Sequence, residues 1–121
     1  MATVRYLVDD VDRAVAFYTG KVGFALEQRF GAAIAMVSRD GLTLWLAGPQ
    51  SSAARPMPDG RKPEPGGWNR VVVQVDDLEL RVRAMKEEGV TFRNDIVTGP
   101  GGKQILAEDG CGNVVELFQP A

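Results

Sequence analysis

Residues 108–120 read EDGCGNVVELFQP, a Gly-rich turn that runs directly into a strand carrying one acid, Glu116. Asp109-Gly110 and Gly112-Asn113 are residue types that accept positive φ, as a tight reversal requires. Beyond the turn, Val115 and Leu117 fall on one face of an alternating strand, while Val114, Glu116 and Phe118 fall on the other. On a solvated face Glu116 is an ordinary surface acid. On the inner face of a curved sheet it is half of a ligand site, and the rest of the chain has to decide between the two.

The stretch has a counterpart. GLTLWLAGP at residues 41–49 matches GNVVELFQP at residues 112–120, about 71 positions on, and VDDV at 8–11 matches VDDL at 75–78, about 67 positions on. Each pair of landmarks brackets the same pattern. In the first half, residues 3–8 alternate as a strand and Asp9-Asp10 supply helix caps. The helix carries Val11, Ala14, Val15, Phe17 and Tyr18 at helical spacing until Gly20 and Gly23 stop it. Residues 25–30, 32–38 and 42–47 read as three strands, turned at Gly31 and at Arg39-Asp40-Gly41. In the second half, residues 70–75 form a strand, Asp76-Asp77 precede a helix with Leu78, Val82 and Met85 inward, and Gly89 ends it. Strands follow near residues 91–94, 104–108 and 113–119.

The predicted fold is therefore α+β, two tandem βαβββ modules in a single domain of residues 1–121: module one at about 1–49, a loop at about 48–68 and module two at about 69–121. The loop is rich in Pro, Gly and Ser and has neither periodicity. It is an ordered lid or a flexible linker that covers a site part of the time; the second is favoured, because it ends in Trp68 beside Arg70.

Composition narrows the function. A chain of 121 residues with 45% hydrophobic content suits one compact domain. A net charge of -2 argues against nucleic-acid and anionic-membrane partners. No apolar stretch approaches the roughly 20 residues of a membrane helix, and the N-terminus lacks the pattern of a secretory signal, so a cytoplasmic protein is expected. Cys111 is the only cysteine, and its turn position suits a structural role. The chain has no histidine, which removes Ser-His-Asp and Cys-His chemistry and the commonest nitrogen ligand of transition metals.

The opening V-D-D-V-D-R-A-V-A-F-Y-T-G-K-V-G-F at residues 8–24 and the closing D-G-C-G-N-V-V-E-L-F-Q-P at 109–120, set in two βαβββ modules, resemble the vicinal oxygen chelate superfamily. That group includes glyoxalase I, bleomycin-resistance proteins and extradiol dioxygenases. The resemblance implies that the modules' sheets curve around a shared cleft. It also implies a metal-ligand position on the first and last strand of each module, here Thr3, Trp45, Arg70 and Glu116. Only Glu116 is a ligand. Thr is a poor donor, Trp offers no lone pair and Arg brings a positive charge, so no metal and no cofactor are expected.

With that face assignment, the cleft carries Thr3, Arg5, Leu7, Thr43, Trp45, Arg70, Val72, Val114, Glu116 and Phe118, a mostly apolar wall with a few polar groups, as small-molecule sites have. The helix-facing set, including Val4, Tyr6, Leu44, Leu46, Val73, Val115 and Leu117, suits a core. Arg70 is expected to pair with Glu116, either to contact a ligand or only to stabilise the cleft. Trp45 and Trp68 suit stacking on a flat ligand, or else packing and loop anchoring. Phe92 is expected to pack. The two Asp pairs are explained by capping, and GPGGK at 99–103 lacks a phosphate-loop ending, so it reads as a strand connection.

The favoured reading is a metal-free protein that binds or sequesters a small, planar, partly aromatic molecule such as an antibiotic, through Thr3, Arg5, Trp45, Trp68, Arg70, Glu116 and Phe118. The bleomycin-resistance branch is the nearest analogue, and it implies a homodimer. One rival is a metal-independent enzyme, a lyase, isomerase or hydrolase, in which Glu116 moves a proton and Arg70 or Arg5 stabilises an oxyanion. The other is an interaction protein with a closed, vestigial cleft.

Overall fold

The computed structural model describes residues 2–121. In chain order it forms β1 (Ala2–Leu7), α1 (Val11–Gly20), β2 (Ala25–Phe30), β3 (Ile34–Arg39), β4 (Leu42–Ala47), β5 (Val71–Gln74), α2 (Leu78–Glu87), β6 (Val97–Gly99), β7 (Gly102–Glu108) and β8 (Val114–Pro120). A short 3-10 segment, Ser52–Ala54, lies between β4 and β5. The chain divides into two compact units. One runs to Gly66 and includes Gly110–Gly112; the other is Gly67–Asp109 with Asn113–Ala121. Each unit has a helix and a four-stranded mixed sheet, ordered β1-β4-β3-β2 in the first and β5-β8-β7-β6 in the second.

The repeat extends to the register. Arg5 lies opposite Trp45 across the parallel β1–β4 pair, and Val72 lies opposite Glu116 across the parallel β5–β8 pair. Arg5 and Val72 are 67 positions apart and Trp45 and Glu116 are 71 apart, the offsets of the sequence landmarks. Both helices also start alike. The Asp10 carboxylate accepts from the Arg13 N–H and the Asp77 carboxylate from the Leu80 N–H, each at 3.1 Å, satisfying a donor that the first helical turn leaves open.

In the first unit, α1 buries Val11, Ala14, Phe17 and Tyr18. Their partners are the alternate residues Tyr6, Ala35, Val37, Leu44 and Leu46, all buried. Tyr18 is fully buried and meets Tyr6, Phe17 and Phe24 edge to face, at centroid distances of 6.3, 5.1 and 5.7 Å. Such edge contacts place ring hydrogens against π faces and favour one packing over its alternatives. The β3–β4 reversal uses Asp40 and Gly41 with φ of 49° and 81°, the two positive values that let a two-residue hairpin follow the strand twist.

The segment after β4 is tied down locally. Ser51 is buried, and both its N–H and its hydroxyl donate to the Gly48 carbonyl. Pro63 and Pro65 wall a cavity of about 230 Å³ with Leu7, Val8 and Ala47.

The second unit buries Leu78, Val82 and Met85 of α2 together with Val71, Val73, Ile105, Ala107, Val115 and Leu117. Its edge differs from the sequence expectation. The strand anticipated near residues 91–94 reduces to a single bridge between Phe92 and Ala107, and β6 forms the edge instead. The hairpin between β6 and β7 explains this. Gly102 sits at φ +148°, where a Cβ would lie 2.2 Å from the Gln119 carbonyl oxygen, so only glycine lets β7 begin against the end of β8. Among the described residues, no helix is long and apolar enough to cross a membrane.

Candidate functional site

In the second unit, the face of the sheet turned away from α2 gathers the charged groups. Leu106 lies opposite Glu116 and Glu108 opposite Val114, and cross-strand partners share a face. Glu108, Leu106, Val114 and Glu116 therefore point the same way, with Phe118 one pleat further along. Arg70 precedes the buried Val71, and alternation turns its side chain to this same face. Both its Nε and its Nη2 donate to Oε1 of Glu116, at 3.0 and 2.8 Å. The side chains are 28% and 10% exposed, so the carboxylate is largely withdrawn from water and has the guanidinium as counter-charge. A third Arg70 N–H, on Nη1, donates to the Trp68 carbonyl at 3.2 Å. One arginine thus fixes both the acid and the chain entering β5.

A second arginine completes the face. The Phe92–Ala107 bridge turns Phe92 toward α2, where Lys86 lies 5.9 Å from its ring centroid, and so turns Arg93 the other way. Arg93 is anchored by its own N–H to the Leu106 carbonyl at 2.9 Å. Its Nε donates to Oε1 of Glu108 at 3.2 Å, its Nη1 donates to the Gly67 carbonyl at 3.3 Å, and its guanidinium carbon lies 4.8 Å from the centroid of Trp68. Trp68 is nevertheless 66% exposed. The result is two arginine-carboxylate pairs, one of them stacked on the Trp68 indole, on a face that also carries the exposed Val72.

In the first unit, the corresponding face carries Thr3 and Arg5, both exposed, and Trp45, half-buried. The Arg5 guanidinium carbon lies 4.9 Å from the centroid of Trp45, and Thr3 pairs with Thr43. Of the residues singled out from sequence, the structure brings Arg5 to Trp45 in one unit and Trp68, Arg70 and Glu116 together in the other. Phe118 shares the strand and face of Glu116 and is half-buried. Arg93 and Glu108 were not anticipated as site residues. The signal was available in the alternation Phe92-Arg93: once Phe92 packs, Arg93 must face the other way. The remaining candidates have structural roles. Asp10 and Asp77 are caps, Cys111 is buried with its thiol 3.7 Å from the Asp10 carbonyl, and residues 100–101 connect β6 to β7.

The donor chemistry at Thr3, Trp45, Arg70 and Glu116 does not fit a divalent metal. Glu116 is the one carboxylate of the four, and its Oε1 already accepts two N–H groups from a cation. Among the described residues, no group of three or more His, Cys, Asp or Glu is placed to hold a metal ion.

Comparison with known proteins agrees with this architecture. An uncharacterized protein of Bacillus subtilis (strain 168), YurT, is 27% identical over 119 residues, covering 93% of this chain and 92% of that protein. The crystal structure of lactoylglutathione lyase from Agrobacterium tumefaciens superposes with a TM-score of 0.76 at 19% identity, over 98% of this chain and 92% of the other, a likeness of fold. TnmS3, an antibiotic binding protein from Streptomyces sp. CB03234, superposes with a TM-score of 0.71 at 26% identity, over 98% and 93% of the two chains. The family model described as Glyoxalase/Bleomycin resistance protein/Dioxygenase superfamily matches residues 1–117. With its two βαβββ units and that match along nearly its whole length, the chain belongs to the glyoxalase/bleomycin resistance protein/dioxygenase superfamily.

Proposed function

We propose that this protein binds a small, planar, partly aromatic molecule and holds it chemically unchanged, without a metal ion. The observation that carries this reading is the Arg70–Glu116 pair. By the family resemblance the pair occupies two of the metal-ligand positions, and Arg70 also donates to the backbone carbonyl of Trp68, a residue that is 66% exposed. An exposed indole offers a large apolar face on which a flat ring stacks favourably. Both Arg70 contacts to the carboxylate use Oε1, so Oε2 is the oxygen that a ligand donor can reach. The likeness to TnmS3, an antibiotic binding protein, supports an antibiotic or similar natural product as the ligand class. In the first unit, the Arg5–Trp45 stack provides a further aromatic surface of the same kind, beside Thr3.

The test is titration with a panel of planar aromatic antibiotics, followed by tryptophan fluorescence, with the recovered compound analysed by mass spectrometry. Binding predicts stoichiometric quenching and an unaltered compound. Trp68→Ala should weaken it by about 1 kcal/mol, the usual size of one stacking contact. If Glu116→Gln and Arg70→Met both leave the affinity within about twofold, the assigned polar contacts are wrong, because a hydrogen bond to a charged group is worth more than that. Turnover of the compound that Glu116→Gln abolishes would instead establish an enzyme with Glu116 as acid or base.

A further inference from the structure

We infer that Arg93 is a positioning and specificity-determining residue, which makes the outer face of Trp68 a platform for electron-rich rings; this rests on the ligand-binding reading above. The guanidinium is held at three points: Glu108 through Nε, the Gly67 carbonyl through Nη1, and the Trp68 ring at 4.8 Å. Its backbone is pinned to β7 through the Leu106 carbonyl. The indole cannot swing freely, because its inner face lies on this fixed cation and its carbonyl is fixed by Arg70. Its high exposure is therefore that of its outer face and edge.

A cation over one face of an aromatic ring draws π density toward itself and weakens the negative potential on the opposite face. A second ring stacked there is then favoured when it is electron-rich, such as a phenolic or alkoxy-substituted ring, and disfavoured when it is electron-poor. The patch also limits charge. Arg70 and Arg93 are matched by Glu116 and Glu108, so its formal charge is zero and it has no general attraction for polyanions. The ligand class that follows is a hydroxylated, electron-rich planar aromatic of low net charge, able to donate to a carboxylate oxygen.

The probes are two naphthalenes of similar size and opposite character, neither of which can donate a hydrogen bond, 2,6-dimethoxynaphthalene and 2,6-dinitronaphthalene. Binding is read from the Trp68 indole N–H resonance of the ¹⁵N-labelled full chain, distinguished from that of Trp45 with the Trp45→Phe variant. The wild type should bind the dimethoxy compound about fivefold more tightly, the size of a cation–π effect at an exposed site. Arg93→Met should bring the ratio to about one, and Arg93→Lys, which keeps the charge, should restore part of the preference. If Arg93→Met does not fold, Arg93→Gln, which removes the charge but keeps a polar side chain toward Glu108, should likewise bring the ratio to about one. An unchanged ratio in Arg93→Met, or equal weakening of both compounds, overturns the role of Arg93. Equal binding of both probes by the wild type overturns it too, but leaves the binding reading standing. Failure of both probes to move the Trp68 resonance removes both.

Discussion

Arg70 decides what Glu116 is. A carboxylate with 10% side-chain exposure is stable as an anion only with a counter-charge, and the structure supplies one 2.8 Å away. Removing the cation alone leaves that charge stranded. Loss of one partner from a fully buried pair costs about 3–5 kcal/mol, and because Arg70 is 28% exposed the expected loss for Arg70→Met is nearer 2–3 kcal/mol. The double variant Arg70→Met/Glu116→Leu removes both charges and should regain most of that stability. Urea unfolding measures both, and a double variant no more stable than Arg70→Met would show that the stranded charge is not the cause. Arg93 and Glu108 differ in degree. Their side chains are 25% and 39% exposed, so Glu108→Gln should change stability by less than about 1 kcal/mol.

The duplication makes paired predictions at the level of elements. Asp10 and Asp77 cap α1 and α2 with the same bond to the third residue on. Asp10→Ala and Asp77→Ala should each destabilise by about 1 kcal/mol, and by similar amounts. Urea unfolding that finds only one of them destabilising would mean that the two starts are not equivalent. Gly102→Ala should be worse, about 2–4 kcal/mol, since it combines a φ of +148° with a Cβ 2.2 Å from backbone. The same elements show what the sequence makes legible. Regular alternation and paired caps place β1, α1, β2, β4, β5 and α2 within a residue or two, because each rests on a local periodic signal. The edge of the second sheet has no such signal. Val97–Gly99 is three residues, all exposed, and its pairing is fixed by the glycine-proline hairpin that follows. The alternation Phe92-Arg93 could turn Arg93 away from the core, but that its partners are Glu108 and Trp68 rests on the long-range Phe92–Ala107 bridge, which a run of four residues does not reveal.

Across the whole chain, the absence of histidine outweighs any single position. Transition-metal sites are built mostly from His, Cys and carboxylates, and this chain has no His and one Cys, which leaves carboxylates as its main donors. Five of the sixteen acids are committed elsewhere: Asp10 and Asp77 to helix caps, Asp109 to a bond from the Asn113 N–H, and Glu108 and Glu116 to arginines. A cation entering beside Glu116 would have to displace a guanidinium that already makes two hydrogen bonds to it. Protein purified without chelator and dialysed against zinc, nickel or ferrous iron should therefore retain less than about 0.1 equivalent by elemental analysis, since tight binding needs three or four donors. EDTA should leave the affinity for a planar ligand unchanged. Near-stoichiometric metal that disappears in Glu116→Gln would reverse the argument: Arg70 would then be a group that swings aside for a cation, and Glu116 a metal ligand.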